Sequence, residues 1–267
     1  MKVGLVQHDI AWEDAAATRT RVEPMIAAAA AGGAELVVLT EMFATGFSMA
    51  PERIAEPEGG PTETFLLEQA ARHHVTLVAS IAQRGPDGGH RNAGVVARPD
   101  GGVERYAKIH PFGYAGENEV YVAGRDFLTT RIGDLRVTVF VCYDLRFADE
   151  FWATGPDTDL FVVPANWPAA RQGHWDALLV ARAIENQAYI AGVNRVGDAP
   201  GGVGGAGGAG GAGASGPLVH AGGTVLVDPL GTVLARAAAV ETVLVVDVDP
   251  RHVARIRTDF PFLADRR

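Results

Sequence analysis

Short runs of strand-forming residues alternate with helical stretches along most of the chain, and this alternation restricts the fold more than any other feature of the sequence. Residues 35–40 are an almost continuous apolar run, which is typical of a strand buried on both faces. Residues 92–98 and 103–109 instead form a hairpin pattern around the turn at residues 99–102. Because βα alternation and hairpins occur together, we expect an α/β fold with mixed sheets covered by helices.

The other segments fit the same interpretation. Further strands are predicted at residues 2–7, 76–81, 135–141, 159–164, 188–194, 222–228, 231–236 and 242–248, and helices at residues 14–31, 62–73, 175–187 and 250–257. No repeat or linker divides the chain, so residues 1–267 are predicted to form a single domain. Residues 197–223 are mostly glycine and alanine, and we expect a flexible surface loop there.

Charge and cysteine content exclude several classes of function. A formal net charge of −9 argues against a nucleic-acid-binding protein, which would need a basic surface. No apolar run reaches the length of about 18 residues that a membrane span needs. A single cysteine allows no intrachain disulfide, and the first ten residues are too polar for a signal peptide. These features together predict a cytoplasmic protein.

The lone cysteine lies where an α/β sheet presents reactive groups. Cys142 directly follows the strand predicted at residues 135–141 and opens a polar segment. A lone cysteine is often only a small buried apolar residue, and it becomes a nucleophile only as a thiolate, with a base or a cation nearby. The sequence therefore gives Cys142 two possible roles.

Three more charged residues supply what such a nucleophile needs. Glu41 follows the apolar strand at residues 35–40 and could accept a thiol proton if it is partly desolvated. Lys108 ends the strand that begins at residue 103, and its ammonium group could stabilise an oxyanion. Glu117 lies in a nearby polar loop, but its spacing does not distinguish it from Glu119. Together these are the components of covalent acyl transfer from an amide.

The surrounding motifs resemble a known enzyme family. The chain is similar to the nitrilase, or carbon–nitrogen hydrolase, superfamily, and most similar to its omega-amidase-like branch. The resemblance is carried by LTEMFATGFSM (residues 39–49), KIHPF (108–112), GE (116–117), CYDLRF (142–147), VPANWP (163–168), ARAIENQ (181–187), GVNRVG (192–197), VDPLG (227–231) and FPFL (260–263). These motifs run from near the N-terminus to the C-terminal segment.

The resemblance implies a fold and a set of roles. It implies a four-layer α-β-β-α sandwich, commonly a homodimer, that uses no cofactor and no metal. Glu41 would be the general base and Cys142 the nucleophile that forms a thioester. Lys108 and the backbone N–H of Tyr143 would stabilise the tetrahedral intermediate. Glu117 would orient the substrate and Lys108.

Substrate choice is less tightly defined by the sequence. Tyr143 followed by an acid resembles amidases, so a small-molecule amide is expected rather than a nitrile. The omega-amidase resemblance implies a dicarboxylic monoamide such as 2-oxoglutaramate or succinamate, with N-carbamoyl amino acids or other aliphatic amides as the alternative. Substrate contacts are expected from Tyr143, Phe47 and Asn166. Arg146, or else Arg195, could bind the free carboxylate, although either could equally form a structural ion pair.

Three other functions stay open at this point. Gly46-Phe47-Ser48 is close to a serine-hydrolase elbow but lacks its final glycine. A Cys–His protease would use His110 or His220, neither of which lies in a recognisable protease motif. A non-catalytic binding protein could share the same fold.

Overall fold

The computed structural model describes residues 1–200 and 217–266 of the 267-residue chain. The strands are β1 (Lys2–Gln7), β2 (Leu36–Val38), β3 (Glu56–Pro57), β4 (Thr76–Arg84), β5 (His90–Ala97), β6 (Val103–Ala107), β7 (Leu128–Ile132), β8 (Leu135–Val139), β9 (Leu160–Ala165), β10 (Tyr189–Asn194), β11 (Val196–Ala199), β12 (Leu218–Ala221), β13 (Val225–Val227), β14 (Val233–Arg236) and β15 (Thr242–Asp247). The helices are α1 (Ala15–Ala31), α2 (Pro51–Ile54), α3 (Pro61–His73), α4 (Glu117–Val120), α5 (Ala148–Thr154), α6 (Gln172–Asn186) and α7 (Pro250–Asp259).

Most of the strands form two mixed sheets. The first has the order β15-β1-β2-β4-β5-β6, with β3 beside β4, and the second has the order β14-β13-β10-β9-β8-β7. In the first sheet β2 and β4 are parallel, and β5 runs antiparallel to both β4 and β6, so β2, β4 and β6 point the same way. In the second sheet β8, β9 and β10 are parallel.

The two sheets pack face to face through apolar side chains. Leu5 and Val38 of the first sheet lie in one fully buried cluster with Val139 and Val162 of the second. Burying an aliphatic side chain of this size contributes about 1.5–3 kcal/mol, so this inter-sheet layer stabilises the fold. The near-continuous apolar run at residues 35–40 fits this position, because β2 is covered on both faces.

Helices cover the outer faces of both sheets. Ile26 of α1 and Leu66 of α3 pack with Leu77 of β4 in a second buried cluster. On the other side, Leu179 of α6 lies so close to Gly192 of β10 that a Cβ at position 192 would be 2.6 Å from it. The expected α-β-β-α sandwich is therefore confirmed. Within the described ranges, no helix is both long and apolar enough to cross a membrane.

One sequence prediction is wrong at its ends. Residues 197–223 were expected to be a flexible loop, yet β11 and β12 pair antiparallel, with Gly197 opposite His220. Backbone hydrogen bonds between the two short strands hold this ribbon together. Gly197 also allows a close approach, since its φ is +84° and a Cβ there would lie 2.2 Å from a carboxylate oxygen of Asp9. The middle of the predicted loop, residues 201–216, lies outside the described residues.

The strand directions bring several loops to one edge of the sandwich. The carboxyl ends of β2 and β6 meet at the same edge of the first sheet, and β5 begins there because it is antiparallel. β8 and β9 end beside each other in the second sheet. Glu41, Lys108, Asn92, Cys142 and Asn166 are therefore positioned by strand ends on the two facing sheets.

Candidate active site

Cys142 lies at a sharp turn between β8 and a short 3-10 helix at Cys142–Arg146. Its φ of 47° is in the left-handed region, which non-glycine residues rarely adopt. The buried Asp144 holds this turn in place. One of its carboxylate oxygens accepts the backbone N–H of Val141 at 2.9 Å and the hydroxyl of Tyr106 at 2.7 Å, and the other accepts the backbone N–H of His110 at 2.9 Å. The turn is thus fixed to the segment that follows Lys108.

A single ammonium group binds two buried carboxylates. Nζ of Lys108 lies 2.9 Å from Oε1 of Glu41 and 2.8 Å from Oε2 of Glu117, and the three side chains are at most 1% exposed. Glu117 also accepts the backbone N–H of Phe112. Glu119 is exposed, so the structure selects Glu117 as the second buried glutamate beside the lysine.

The Cys142 thiol completes this group. It lies beside the carboxylate of Glu41 and near the backbone N–H of Asn166, which donates to Oε2 of Glu41 at 2.9 Å. Burial, and then the charge of Glu41, raise the pKa of the Cys142 thiol well above its usual range, although Lys108 opposes this. The thiol is therefore protonated at rest and has a base in direct contact.

The charged groups of the site shift one another's pKa values. Burial alone would lower the pKa of the Lys108 ammonium, but the carboxylates of Glu117 and Glu41 outweigh burial and raise it. At Glu117, burial raises the pKa of the carboxyl more than the attraction of Lys108 lowers it, and the charge of Glu41 adds to the rise. With two carboxylates for one ammonium, the site holds one excess negative charge when both glutamates are ionised.

An asparagine that no sequence motif reveals joins the two glutamates. Nδ2 of Asn92, near the start of β5, donates to Oε1 of Glu41 at 2.8 Å and to Oε1 of Glu117 at 2.9 Å. Its amide oxygen accepts the hydroxyl of Ser80 at 2.7 Å, and Ser80 in turn accepts the backbone N–H of Met42. Asn92 is 2% exposed. It falls in an ordinary strand motif, and only the antiparallel pairing of β4 and β5 brings it to the site.

Two of the predicted substrate-binding residues, Phe47 and Asn166, lie against the same group. The ring of Phe47 lies 5.1 Å from Nζ of Lys108, and the side chain of Asn166 donates to the backbone oxygen of Glu41. Tyr143 directly follows Cys142. The guanidinium of Arg146 lies 5.9 Å from the centroid of the Tyr143 ring.

Arg195, the alternative carboxylate ligand, is held elsewhere. Its Nη2 lies 2.6 Å from a carboxylate oxygen of Asp9 and 3.2 Å from the backbone oxygen of Asp198, so its structural ion-pair interpretation applies. Two candidates for the other hydrolase classes make contacts away from the Cys142 group. Ser48 donates to Glu13, and His110 lies 2.9 Å from Glu150. Among the described residues, no group of three or more His, Cys, Asp or Glu side chains could hold a metal ion.

A four-layer sandwich with a thiol, a carboxylate and an ammonium group at its strand ends is the architecture of nitrilase-type hydrolases. A sequence model of the carbon–nitrogen hydrolase family matches residues 2–258. The chain belongs to the carbon–nitrogen hydrolase family, and it is accordingly a hydrolase of carbon–nitrogen bonds.

Individual relatives are similar over most of their length. The chain is 37% identical to an omega-amidase of Yersinia enterocolitica, over 89% of this chain and 85% of the relative. It is 28% identical to a 2-oxoglutaramate amidase of Bacillus subtilis, over 88% and 85%. A solved structure of a superfamily member from Xanthomonas campestris, with an arsenic adduct in its active site, superimposes with a TM-score of 0.88 at 33% identity, covering 100% of this chain and 97% of that one.

The hydrogen bonds of Asn92 generate a prediction about its role in positioning the glutamates. Asn92→Ala removes a donor from both carboxylates, and we expect kcat/KM to fall by roughly 10–100-fold. Because losing a donor raises a carboxylate pKa, the acidic limb of the pH–rate profile should move to higher pH. Asn118→Ala, at an exposed asparagine of α4, is the matched control and should change the rate less than about twofold.

Ammonia release measured from pH 5 to pH 9 tests this expectation, with urea unfolding as a check that the variant folds. A lower rate with an unchanged pH profile would contradict the positioning role and leave only a structural one.

Proposed function

We propose that the enzyme hydrolyses the terminal amide of a dicarboxylic monoamide, such as 2-oxoglutaramate or succinamate, through a thioester on Cys142. The observation that carries the proposal is the contact of one buried thiol with Glu41, whose carboxylate is bound to Lys108. The names of the relatives from Yersinia enterocolitica and Bacillus subtilis support the substrate class.

The first half of the reaction forms the thioester. Glu41 accepts the thiol proton, and the sulfur of Cys142 attacks the amide carbon. The oxyanion of the tetrahedral intermediate is stabilised by the ammonium of Lys108 and the backbone N–H of Tyr143. As the intermediate collapses, the C–N bond breaks, Glu41 returns the proton to the leaving nitrogen, and ammonia departs.

The second half regenerates the enzyme. Glu41 removes a proton from a water molecule, which attacks the thioester carbon, and the C–S bond then breaks. The free acid leaves, and the proton on Glu41 returns to the sulfur of Cys142. Each proton moves within the site, so its net charge is the same before and after each transfer. This matters because a change of net charge in a buried site carries a large desolvation cost.

The remaining site residues act on substrate position. Glu117 binds Lys108 beside Glu41 and orients the substrate amide. Oδ1 of Asn166 is a buried acceptor with no hydrogen bond among the described residues, which suits it to accept an amide N–H of the substrate. Phe47 provides an apolar wall over Lys108, and Tyr143 and Arg146 line the outer part of the pocket.

The proposal predicts which amides are cleaved. Wild-type enzyme should release ammonia from succinamate and 2-oxoglutaramate faster than from N-carbamoyl amino acids, butanamide or nitriles. Cys142→Ala should lower the rate by at least about 1,000-fold, because the nucleophile is lost. Lys2→Ala, at an exposed lysine on β1, is the control, and this surface substitution should leave the rate unchanged. Faster cleavage of an N-carbamoyl amino acid than of succinamate or 2-oxoglutaramate would contradict the proposal and support the alternative amidase function.

We also propose a homodimer, formed through the outer surface of α6 and the turn between β13 and β14. Ile184 of α6 is 45% exposed and Leu230 of the turn is 60% exposed. Gly231 packs directly against Ile184, so the two apolar residues belong to one surface. Light scattering should give twice the mass of one chain for wild type and the mass of one chain for Ile184→Glu. A wild-type monomer would contradict the pairing.

The domain organisation and the compartment complete the proposal. We propose that residues 1–267 work as one catalytic domain, since β1 and β15, from opposite ends of the chain, pair in the first sheet. A reducing compartment such as the cytoplasm suits an enzyme whose one cysteine must remain a thiol. Limited proteolysis would test the first point, because a separable fragment of defined size would argue against a single domain.

A further inference from the structure

Arg171 is a second arginine beside the predicted substrate pocket, and sequence analysis did not identify it. It ends the short 3-10 helix Ala169–Arg171, directly before α6. Its backbone oxygen accepts the indole N–H of Trp167 at 2.8 Å, which fixes the main chain next to Asn166. The guanidinium lies 5.5 Å from the centroid of the Phe112 ring. The side chain is thus held over an aromatic residue of the site.

Phe112 links Arg171 to the reacting groups. The backbone N–H of Phe112 binds the carboxylate of Glu117, and its ring lies 4.7 Å from the ring of Tyr143, the residue after the nucleophile. One aromatic side chain therefore separates the Arg171 guanidinium from the buried cluster of Cys142 and Lys108. A substrate whose amide carbon reaches Cys142 would place its far end in this outer region.

Two guanidinium groups share that region. Arg146 lies 4.7 Å from the centroid of the Trp167 ring, the same indole whose N–H binds Arg171. Burial lowers the pKa of Arg171, and the positive charge of Arg146 lowers it further, whereas a negative charge on Cys142 raises it. Two guanidinium groups in one region create a local positive potential, which favours binding of an anion there.

We propose that Arg171 binds the free carboxylate of the substrate and so determines the preference for monoamides of dicarboxylic acids. This inference rests on the proposed function and deepens it, because it names the group that distinguishes a charged amide from a neutral one. An arginine provides paired N–H donors that match the geometry of a carboxylate. The arrangement also gives an acidic protein a local positive potential where its anionic substrate enters.

The test compares two substrates that differ only at the far end. Succinamate carries a carboxylate where butanamide carries a methyl group. Arg171→Met keeps the aliphatic stem and removes the charge. We expect kcat/KM for succinamate to fall by roughly 10–100-fold, mainly through KM, because charge-assisted hydrogen bonds to the carboxylate are lost. The value for butanamide should change by less than about twofold, since that substrate makes no such contact.

Two further variants make the result specific. Arg171→Lys retains the charge without the paired donors and should recover part of the succinamate activity. Arg251→Met removes a charge from an arginine whose side chain is 87% exposed on α7, and it should behave as wild type. Thermal unfolding of each variant shows whether it folds.

The outcomes separate the two claims. Equal losses on both substrates, or no loss on either, would overturn the role of Arg171 while leaving the amidase function intact. A wild-type enzyme that cleaves butanamide as fast as succinamate would overturn both the role of Arg171 and the proposed preference for dicarboxylic monoamides, because no recognition of a carboxylate would then exist. A selective loss of succinamate turnover in Arg171→Met supports the proposal.

Discussion

The arrangement of the site depends on one buried ammonium group that two carboxylates share. Lys108 is the cation bound by Glu41 and Glu117, and each of the three side chains is almost fully removed from water. Burying any of these charges alone would cost several kcal/mol, so the group is stable only as a unit. The burial of these charges also favours proton transfer. A buried carboxylate next to a thiol can accept the thiol proton without first losing bound water.

The fold makes this unit possible by bringing strand ends from two sheets together. Parallel strands in each sheet direct their carboxyl ends toward one edge, and the apolar layer between the sheets fixes the distance across it. Asp144 then ties the turn at Cys142 to the strand end that carries Lys108. The positive φ at Cys142 is sustained by these contacts, and it directs the sulfur toward Glu41.

Residues that follow apolar strands could be predicted from the sequence, because a strand end is visible in the pattern of side chains. Glu41, Lys108 and Cys142 belong to this class, and so do most strand positions and the α/β class. Asn92 could not be found in this way, since it lies near the start of a strand whose antiparallel pairing is a long-range property. The sequence could not show whether Glu117 or Glu119 is the buried glutamate, because that depends on how one short helix is oriented. The ribbon of β11 and β12 was missed because its two strands have only four residues each and flank a glycine-rich stretch, so no alternation is visible.

The most direct test of how the buried charges activate Cys142 is the rate at which iodoacetamide alkylates the thiol, measured against pH. Because the chain has one cysteine, the label reports on Cys142 alone. Burial raises the pKa of this thiol, so reaction near pH 7 requires Glu41 to take the proton. We expect rapid alkylation of wild type at pH 7, and alkylation of Lys108→Met only at alkaline pH, because the ammonium group that opposes the rise in the thiol pKa is lost. Equal rates for the two proteins across the pH range would contradict the account.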